Sequence, residues 1–270
     1  MTFHFTTLFL TFFIYSILGW IFETIYCSLV HQSWDNRGML NGPYCPIYGC
    51  GAILAIRVCA HFNSPILIFF VCALGSAVLE YLTSYLTEKF FHTVWWDYSY
   101  LPFNLNGRIC LTVALGFGLG GLVVTYMIGP FVHGIIRHIP FFIQEPLALI
   151  CMAIFAADLA LTLDALTSLN QKLTALEDQI NNNISERYDA FLCKTKEKFS
   201  LEEFKEKFTT DEIKNMLPSL NFPQIHVLKS SLGFRKVDYS DLGKKLKQTI
   251  SEHKKNNRSV ILLFKRRCIP

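Results

Sequence analysis

The chain has 270 residues, 51% of them hydrophobic, and its net charge of +4 is unevenly spread. Residues 1–169 carry five Lys/Arg against eight Asp/Glu, whereas residues 170–270 carry twenty against thirteen. So few charges among so many Phe, Leu and Ile exclude an ordinary water-soluble domain for the first part, since about 20 apolar helical residues cross a hydrocarbon core of about 30 Å.

Taken in chain order, the apolar runs predict five membrane spans, over roughly residues 6–30, 45–60, 66–90, 110–132 and 146–169. The first lacks a basic leader and an A-x-A-like site, so it is expected to be a permanent span rather than a cleaved signal. The second is short and starts among Pro and Gly. The fourth runs from Leu111 to Pro130 without a charge. Its Gly116-Phe117-Gly118-Leu119-Gly120-Gly121 matches a dinucleotide fingerprint. The same residues contain G-x-x-x-G at Gly116 and Gly120, and close helix packing is the preferred reading inside an apolar run of spanning length.

Two polar, glycine-punctuated segments interrupt these runs. The first is Asn36-Arg37-Gly38-Met39-Leu40-Asn41-Gly42-Pro43-Tyr44-Cys45-Pro46-Ile47-Tyr48-Gly49. The second holds Trp95-Trp96-Asp97-Tyr98 and then Asn104-Leu105-Asn106-Gly107-Arg108. Five spans put both segments on the side of the C-terminal tail. That side collects Arg37, Lys89, Arg108 and the tail's basic residues, so it is expected to be the cytoplasmic side of a multi-pass protein of the cell membrane.

Ionisable residues inside spans are costly and are functional candidates. They are Glu23, Arg57, Glu80, Asp158 and Asp164. One reading is a polar cavity lined by Glu23 and Glu80 and closed by Arg37, Asp97 and Arg108, with Asn36 beside it. The other is a clamp in which the two glutamates pair with those arginines, or bond Tyr26 and Tyr81, only to hold the bundle together. Trp95, Trp96, Tyr98 and Tyr100 suit the headgroup layer. Asn104, Asn106 and Arg108 suit a carboxylate or phosphate, from a lipid headgroup or an anionic solute. Of the nine cysteines, most sit in apolar runs as small hydrophobes. Without C-x-x-C pairs or histidines beside them, no metal site is expected, and no cofactor. No P-loop motif occurs, so an ATPase would have to be another subunit.

In the tail, Leu166, Leu169, Leu173, Leu176 and Ile180 follow 3-4 spacing. This seam could pack on the tail itself or form a homodimer. Ser200-Leu201-Glu202-Glu203 and Thr209-Thr210-Asp211-Glu212 read as capping boxes, and Leu217-Pro218 and Phe222-Pro223 as chain breaks. The basic end, with Val260-Ile261-Leu262-Leu263-Phe264 before Lys265-Arg266-Arg267, reads as a contact for anionic lipid or as a solvated face, with nucleic acid disfavoured. Cys268-Ile269-Pro270 is one residue short of a prenylation signal.

Gly19-Trp20-Ile21-Phe22-Glu23, the first polar segment on to Gly51, Leu79-Glu80-Tyr81-Leu82-Thr83-Ser84-Tyr85 and the second polar segment on to Cys110 occur in that order. Together they resemble the bacterial family called putative ABC-transporter type IV (CmpB-like), over roughly residues 8–170. The resemblance implies an ABC-transporter permease that needs a separate ATPase, and it specifies no substrate. The expected architecture is an all-α polytopic membrane helix bundle, residues 1–169, followed by a helical, basic cytoplasmic tail, residues 170–270. The expected function is permease-like transport of a small or lipid-linked solute. An enzyme acting on a lipid headgroup or lipid-linked sugar, and a non-catalytic scaffold, stand as alternatives.

Overall fold

A computed structural model describes residues 5–32, 38–194, 209, 212–213, 215–231 and 233–234. The described chain is almost wholly helical, in the order α1 (Phe5–His31), α2 (Pro46–Cys59), α3 (Pro65–Phe91), α4 (Leu111–Val123), α5 (Gly129–His138) and α6 (Phe141–Lys194). It divides into two compact units, Met1–Asp164 with Ser230–Leu232, and Ala165–Lys229 with Gly233–Pro270.

Four helical stretches are long and apolar enough to cross a membrane: Phe5–Leu29, Pro65–Phe91, Leu111–His138 and Phe141–Leu176. Their outer faces carry large exposed apolar side chains such as Ile66, Phe70, Leu74 and Val78 on α3. An aqueous protein would bury these groups; a bilayer solvates them. The chain is therefore a multi-pass helical membrane protein. The expected second span is instead the 14-residue α2. At 1.5 Å per residue it reaches about 21 Å, short of a full crossing. Five full spans become four, plus this shorter apolar helix.

Side-chain contacts fix the helix directions. Gly49, near the start of α2, lies against Ser16 and Phe12 of α1. Farther on, Ala52 and Ile56 share a core with Leu10 and Tyr15. α2 therefore runs antiparallel to α1. Gly51 meets Leu79 on α3, and Cys59 packs with Ile68 and Cys72, so α3 turns back again. α1 and α3 consequently end on the same side of the bundle.

Glycines set the closest approaches. A methyl group on Gly19 would collide with the Tyr48 ring, and one on Gly49 with Ser16 and the Phe12 carbonyl. On α4, Gly118 lies against Phe69 and Gly121 against Cys72, whereas Gly116 and Gly120 have nothing within 4 Å. Helix packing is thus the role of this glycine run, but through Gly118 and Gly121. The G-x-x-x-G pair recognisable in the sequence points away from the bundle. Between α4 and α5 one wide turn, Val124–Ile128, has π-helical bonding. Pro130, which lacks an N–H and would crowd the carbonyl four residues back, follows immediately; a wide turn relieves that conflict. Gln144, buried at the head of α6, donates to the Ile136 and Ile139 carbonyls at 2.9 and 2.7 Å and so caps the end of α5.

In the second unit, Leu166, Leu169, Leu173 and Leu176 are buried together with Ile213, Leu220, Val227 and Leu228. The leucine seam is therefore covered by the chain's own tail. Lys172 Nζ donates to the Ser219 carbonyl at 2.7 Å and to Gln224 Oε1 at 3.2 Å, and Gln224 Nε2 donates to Ser168 Oγ at 2.7 Å. Phe222-Pro223 opens a helix, Phe222–Ser230, rather than breaking the chain. The Asn221 side chain accepts from Gln224 N at 3.0 Å while the Gln224 side chain accepts from Asn221 N at 3.1 Å, a reciprocal cap with Pro in the first turn. The capping box at Ser200 and the basic C-terminal end lie outside the described residues.

Candidate functional site

The first polar segment enters the bundle. Cys45 N donates to the Ser16 carbonyl at 2.8 Å. Ser16 lies about 16 Å from the start of α1 and about 22 Å from its end. α2 therefore begins at mid-depth, and residues 39–45 form a re-entrant loop. Irregular backbone at that depth needs partners in the protein, and the backbone donors of residues 41–45 can be followed one by one. Asn41 N and Gly42 N donate to the Asp158 carboxylate on α6, at 3.2 and 2.7 Å. Tyr44 N donates to the Gly42 carbonyl at 2.9 Å, and Cys45 N to Ser16. Pro43 and Pro46 have no N–H to satisfy.

Asp158 is the hub of this loop. Besides the two backbone donors it accepts from Asn41 Nδ2 at 2.8 Å and from the Tyr44 hydroxyl at 2.6 Å. The Tyr44 ring packs between Phe13 and Phe155, with centroids 5.4 and 5.6 Å away. The carboxylate is thus paid for by hydrogen bonds instead of by a cation, a recognised way to hold a buried charge.

Just beyond the loop, toward the ends of α1 and α3, a second set of groups meets. Glu80 on α3 is 6% exposed. Its Oε1 accepts from the Tyr98 hydroxyl at 3.2 Å, and its Oε2 is buried without a hydrogen-bond partner. Glu23 on α1 lies one helical turn beyond Gly19, which packs against the Tyr48 ring. Burial first, and then the Glu80 carboxylate, push the Tyr98 phenol well above its ordinary range, so it remains a protonated donor. Glu80 is thus joined to the second polar segment through Tyr98, and Glu23 lies a turn above the contact of α1 with Tyr48. Glu80 bonds Tyr98 rather than Tyr81, and the Arg37 arm of the clamp lies outside the described residues.

Most other sequence-selected residues build the second polar segment. Asn106 and Gly107, with φ of 54° and 68°, make the tight turn of a small hairpin in which Asn104 faces Cys110 and Leu105 faces Ile109. Asn104 donates to the Leu101 and Ser99 carbonyls and accepts from Gly107 N at 3.1 Å, while Asn106 donates to the Tyr81 hydroxyl at 3.4 Å. Asp97 accepts from Ser99 N at 2.9 Å, and Trp96 Nε1 donates to the Arg108 carbonyl at 3.0 Å. Trp95 is half-buried and its Nε1 has no hydrogen-bond partner. Arg108 pairs with Glu88 at 2.6 Å, donates to Ser84 Oγ at 3.4 Å, and lies over the Tyr81 and Tyr85 rings at 5.6 and 5.7 Å. Its guanidinium is held against α3 by Glu88, not by Glu23 or Glu80. Asn36 and Arg37 lie outside the described residues.

Sequence reasoning did not select Asn41, Tyr44, Cys45, Tyr48, Glu88 or Tyr98 as site residues. A signal for the loop was available: two prolines three apart, in a stretch too short to span, predict backbone that needs outside partners. Among the described residues no group of three or more His, Cys, Asp or Glu could hold a metal ion.

No curated protein and no solved structure matches the chain. One family model does, over residues 10–163, which takes in most of α1, all of α2 to α5, both polar segments and Asp158 on α6. The chain accordingly belongs to the family described as putative ABC-transporter type IV.

Proposed function

We propose that the protein is a permease-like subunit that passes a polar or lipid-linked solute through the bundle and takes its energy from a separate ATPase. The observation that carries this reading is Glu80, buried in the membrane part with an unpaired carboxylate oxygen. Intramembrane carboxylates facing a bundle interior mark solute or ion pathways. Transporter sites also lie characteristically where a helix is interrupted near the membrane midplane, and α2 starts there. The family description points to an ABC system, and the chain has no P-loop of its own. The polar segments and the tail are proposed to face the cytoplasm, where the Lys/Arg excess would lie and where an ATPase could dock.

Purification from native membranes in a mild detergent tests this reading. An ATPase should co-purify, and its ATP hydrolysis should fall when Glu80→Gln replaces the wild type. Failure to recover any ATPase, with unchanged solute uptake and export on deletion of the chain, would refute it.

The second reading is a membrane enzyme acting on a lipid headgroup or lipid-linked sugar. It draws on the same carboxylate, with Tyr98 as its proton-bearing neighbour. It predicts that Glu23→Gln and Glu80→Gln accumulate a precursor lipid; an unchanged lipid profile in both would remove it.

A further inference from the structure

The far end of α2 carries a pair of thiols that the proposed transport site does not use. α2 is held at its start by the re-entrant loop, through Cys45 N on Ser16 and Gly42 N on Asp158. At its last residue, Cys59 Sγ lies 3.5 Å from Cys72 Sγ on α3. Both side chains are buried, and Ile68 packs with them. α4 backs Cys72, since Gly121 lies against its Cβ and Sγ. Three helices therefore confine the two sulfurs in contact. A disulfide bond is about 2.05 Å long, so each sulfur would move by about 0.7 Å, within reach of a small rotation about χ1.

The pair lies toward the end of the bundle away from the polar segments. Cys59 closes α2, and Cys72 is about 10 Å along α3 from Pro65. A short turn joins the two helices, and in it Ala60 N, His61 N and Phe62 N donate to the Ile56, Val58 and Cys59 carbonyls. Ala60 and His61 are exposed. The orientation proposed above turns this end toward the cell exterior, where thiols meet disulfide oxidants instead of cytoplasmic reductants. Buried apolar thiols exchange slowly, so the reaction belongs to assembly, before α3 closes over Cys59.

From this we infer that Cys59 and Cys72 are a site of oxidative modification, a disulfide that staples the end of α2 to α3. The inference is independent of any solute and rests only on the proposed orientation. The oxidant is an external disulfide. The Cys59 thiolate attacks one of its sulfurs, breaking that S–S bond and releasing one thiolate; the Cys72 thiolate then attacks the Cys59 sulfur and releases the second. The cysteines lose two protons and two electrons. The donor disulfide gains both electrons, and its two thiolates take up the protons.

The test reads the thiols of the full chain in cells. Cells are quenched in trichloroacetic acid, and the chain is dissolved in SDS with N-ethylmaleimide, then reduced and treated with iodoacetamide. Mass spectrometry locates each label. Cys59 and Cys72 should carry the second label, and an unreduced digest should hold their two peptides linked, two hydrogens short of their sum. Cys50, exposed on the same helix, should carry the first label. In the purified chain, reduction should raise hydrogen exchange at Ala60, His61 and Phe62 by about tenfold or more. A Cys59→Ser chain should show the raised rate with no response to reductant. The first label on Cys59 and Cys72, a link from either to another cysteine or to a small thiol, or exchange unchanged by reduction overturns the inference. An impermeant maleimide applied to intact cells, read at His61→Cys in a Cys59→Ser, Cys72→Ser chain, tests the orientation separately. Labelling there without the disulfide removes the staple alone. The disulfide without that labelling supports the staple and removes the orientation alone.

Discussion

Asp158 offers the sharpest check on how the bundle tolerates a loop at mid-depth. Replacing it by Ala takes the acceptor from Asn41 N, Asn41 Nδ2, Gly42 N and the Tyr44 hydroxyl, now at 3.2, 2.8, 2.7 and 2.6 Å from its oxygens, and from the more distant Thr162 hydroxyl at 3.5 Å; Asn41 Nδ2 keeps Thr162 Oγ1 as a second acceptor. Three close donors are left with no acceptor, at about 1–3 kcal/mol each, so the loss should reach about 3 kcal/mol or more, which is large against ordinary protein stability. Asp158→Asn retains the shape and one acceptor oxygen, but turns an amide NH₂ toward two donors; about 2–4 kcal/mol is expected. Tyr44→Phe removes one donor and its partner's bond and should cost about 1.5–3 kcal/mol, the range for a hydrogen bond to a charged group. Asp164 on the same helix is exposed, so Asp164→Asn should stay within about 0.5 kcal/mol of wild type. The assay is equilibrium unfolding of the full chain in mixed micelles, read by tryptophan fluorescence. If Asp158→Ala and Asp158→Asn both unfold within about 0.5 kcal/mol of wild type, the loop is not held by this carboxylate and the donor accounting is wrong.

The glycines give a contrast within one experiment. Gly49→Ala should destabilise by about 1–3 kcal/mol, since its methyl meets Ser16 and the Phe12 backbone, whereas Gly116→Ala and Gly120→Ala, which face open space, should be neutral or slightly stabilising in the same unfolding assay. Arg108→Lys keeps the charge but loses the planar stacking on Tyr81 and Tyr85 and the fork shared between Glu88 and Ser84; a loss of about 1–2 kcal/mol and faster hydrogen exchange across residues 93–110 are expected. Gln224→Ala removes the reciprocal cap and the links to Ser168 and Lys172. Exchange should then rise in Phe222–Ser230 by about tenfold or more, with α1 to α4 unchanged.

The two polar segments show where sequence reasoning reached and where it stopped. Composition by itself determined that the first part of the chain is a membrane helix bundle, because a bilayer admits little else from such apolar runs. The cost of intramembrane charge likewise singles out Glu23, Glu80 and Asp158 in the sequence alone. The asymmetric charge of the two parts and the leucine spacing of the tail were legible too. Partner choice was not. Glu88 and Glu80 are both acidic residues on α3, and nothing in their order says that Arg108 takes the first and Tyr98 the second. Gly116 and Gly120 form a better motif on paper than Gly118 and Gly121, yet helix rotation turns the latter pair inward. The depth of the first polar segment was the largest surprise. A stretch with two prolines, two glycines and an asparagine looks like a surface loop. It descends to the level of Ser16 because Asp158, more than a hundred residues later, supplies the acceptors that water would otherwise provide. Sequence fixes how much backbone must be satisfied, since that is a local property of each residue. Only the tertiary structure decides which distant side chain satisfies it, since that depends on which faces the helices turn toward one another.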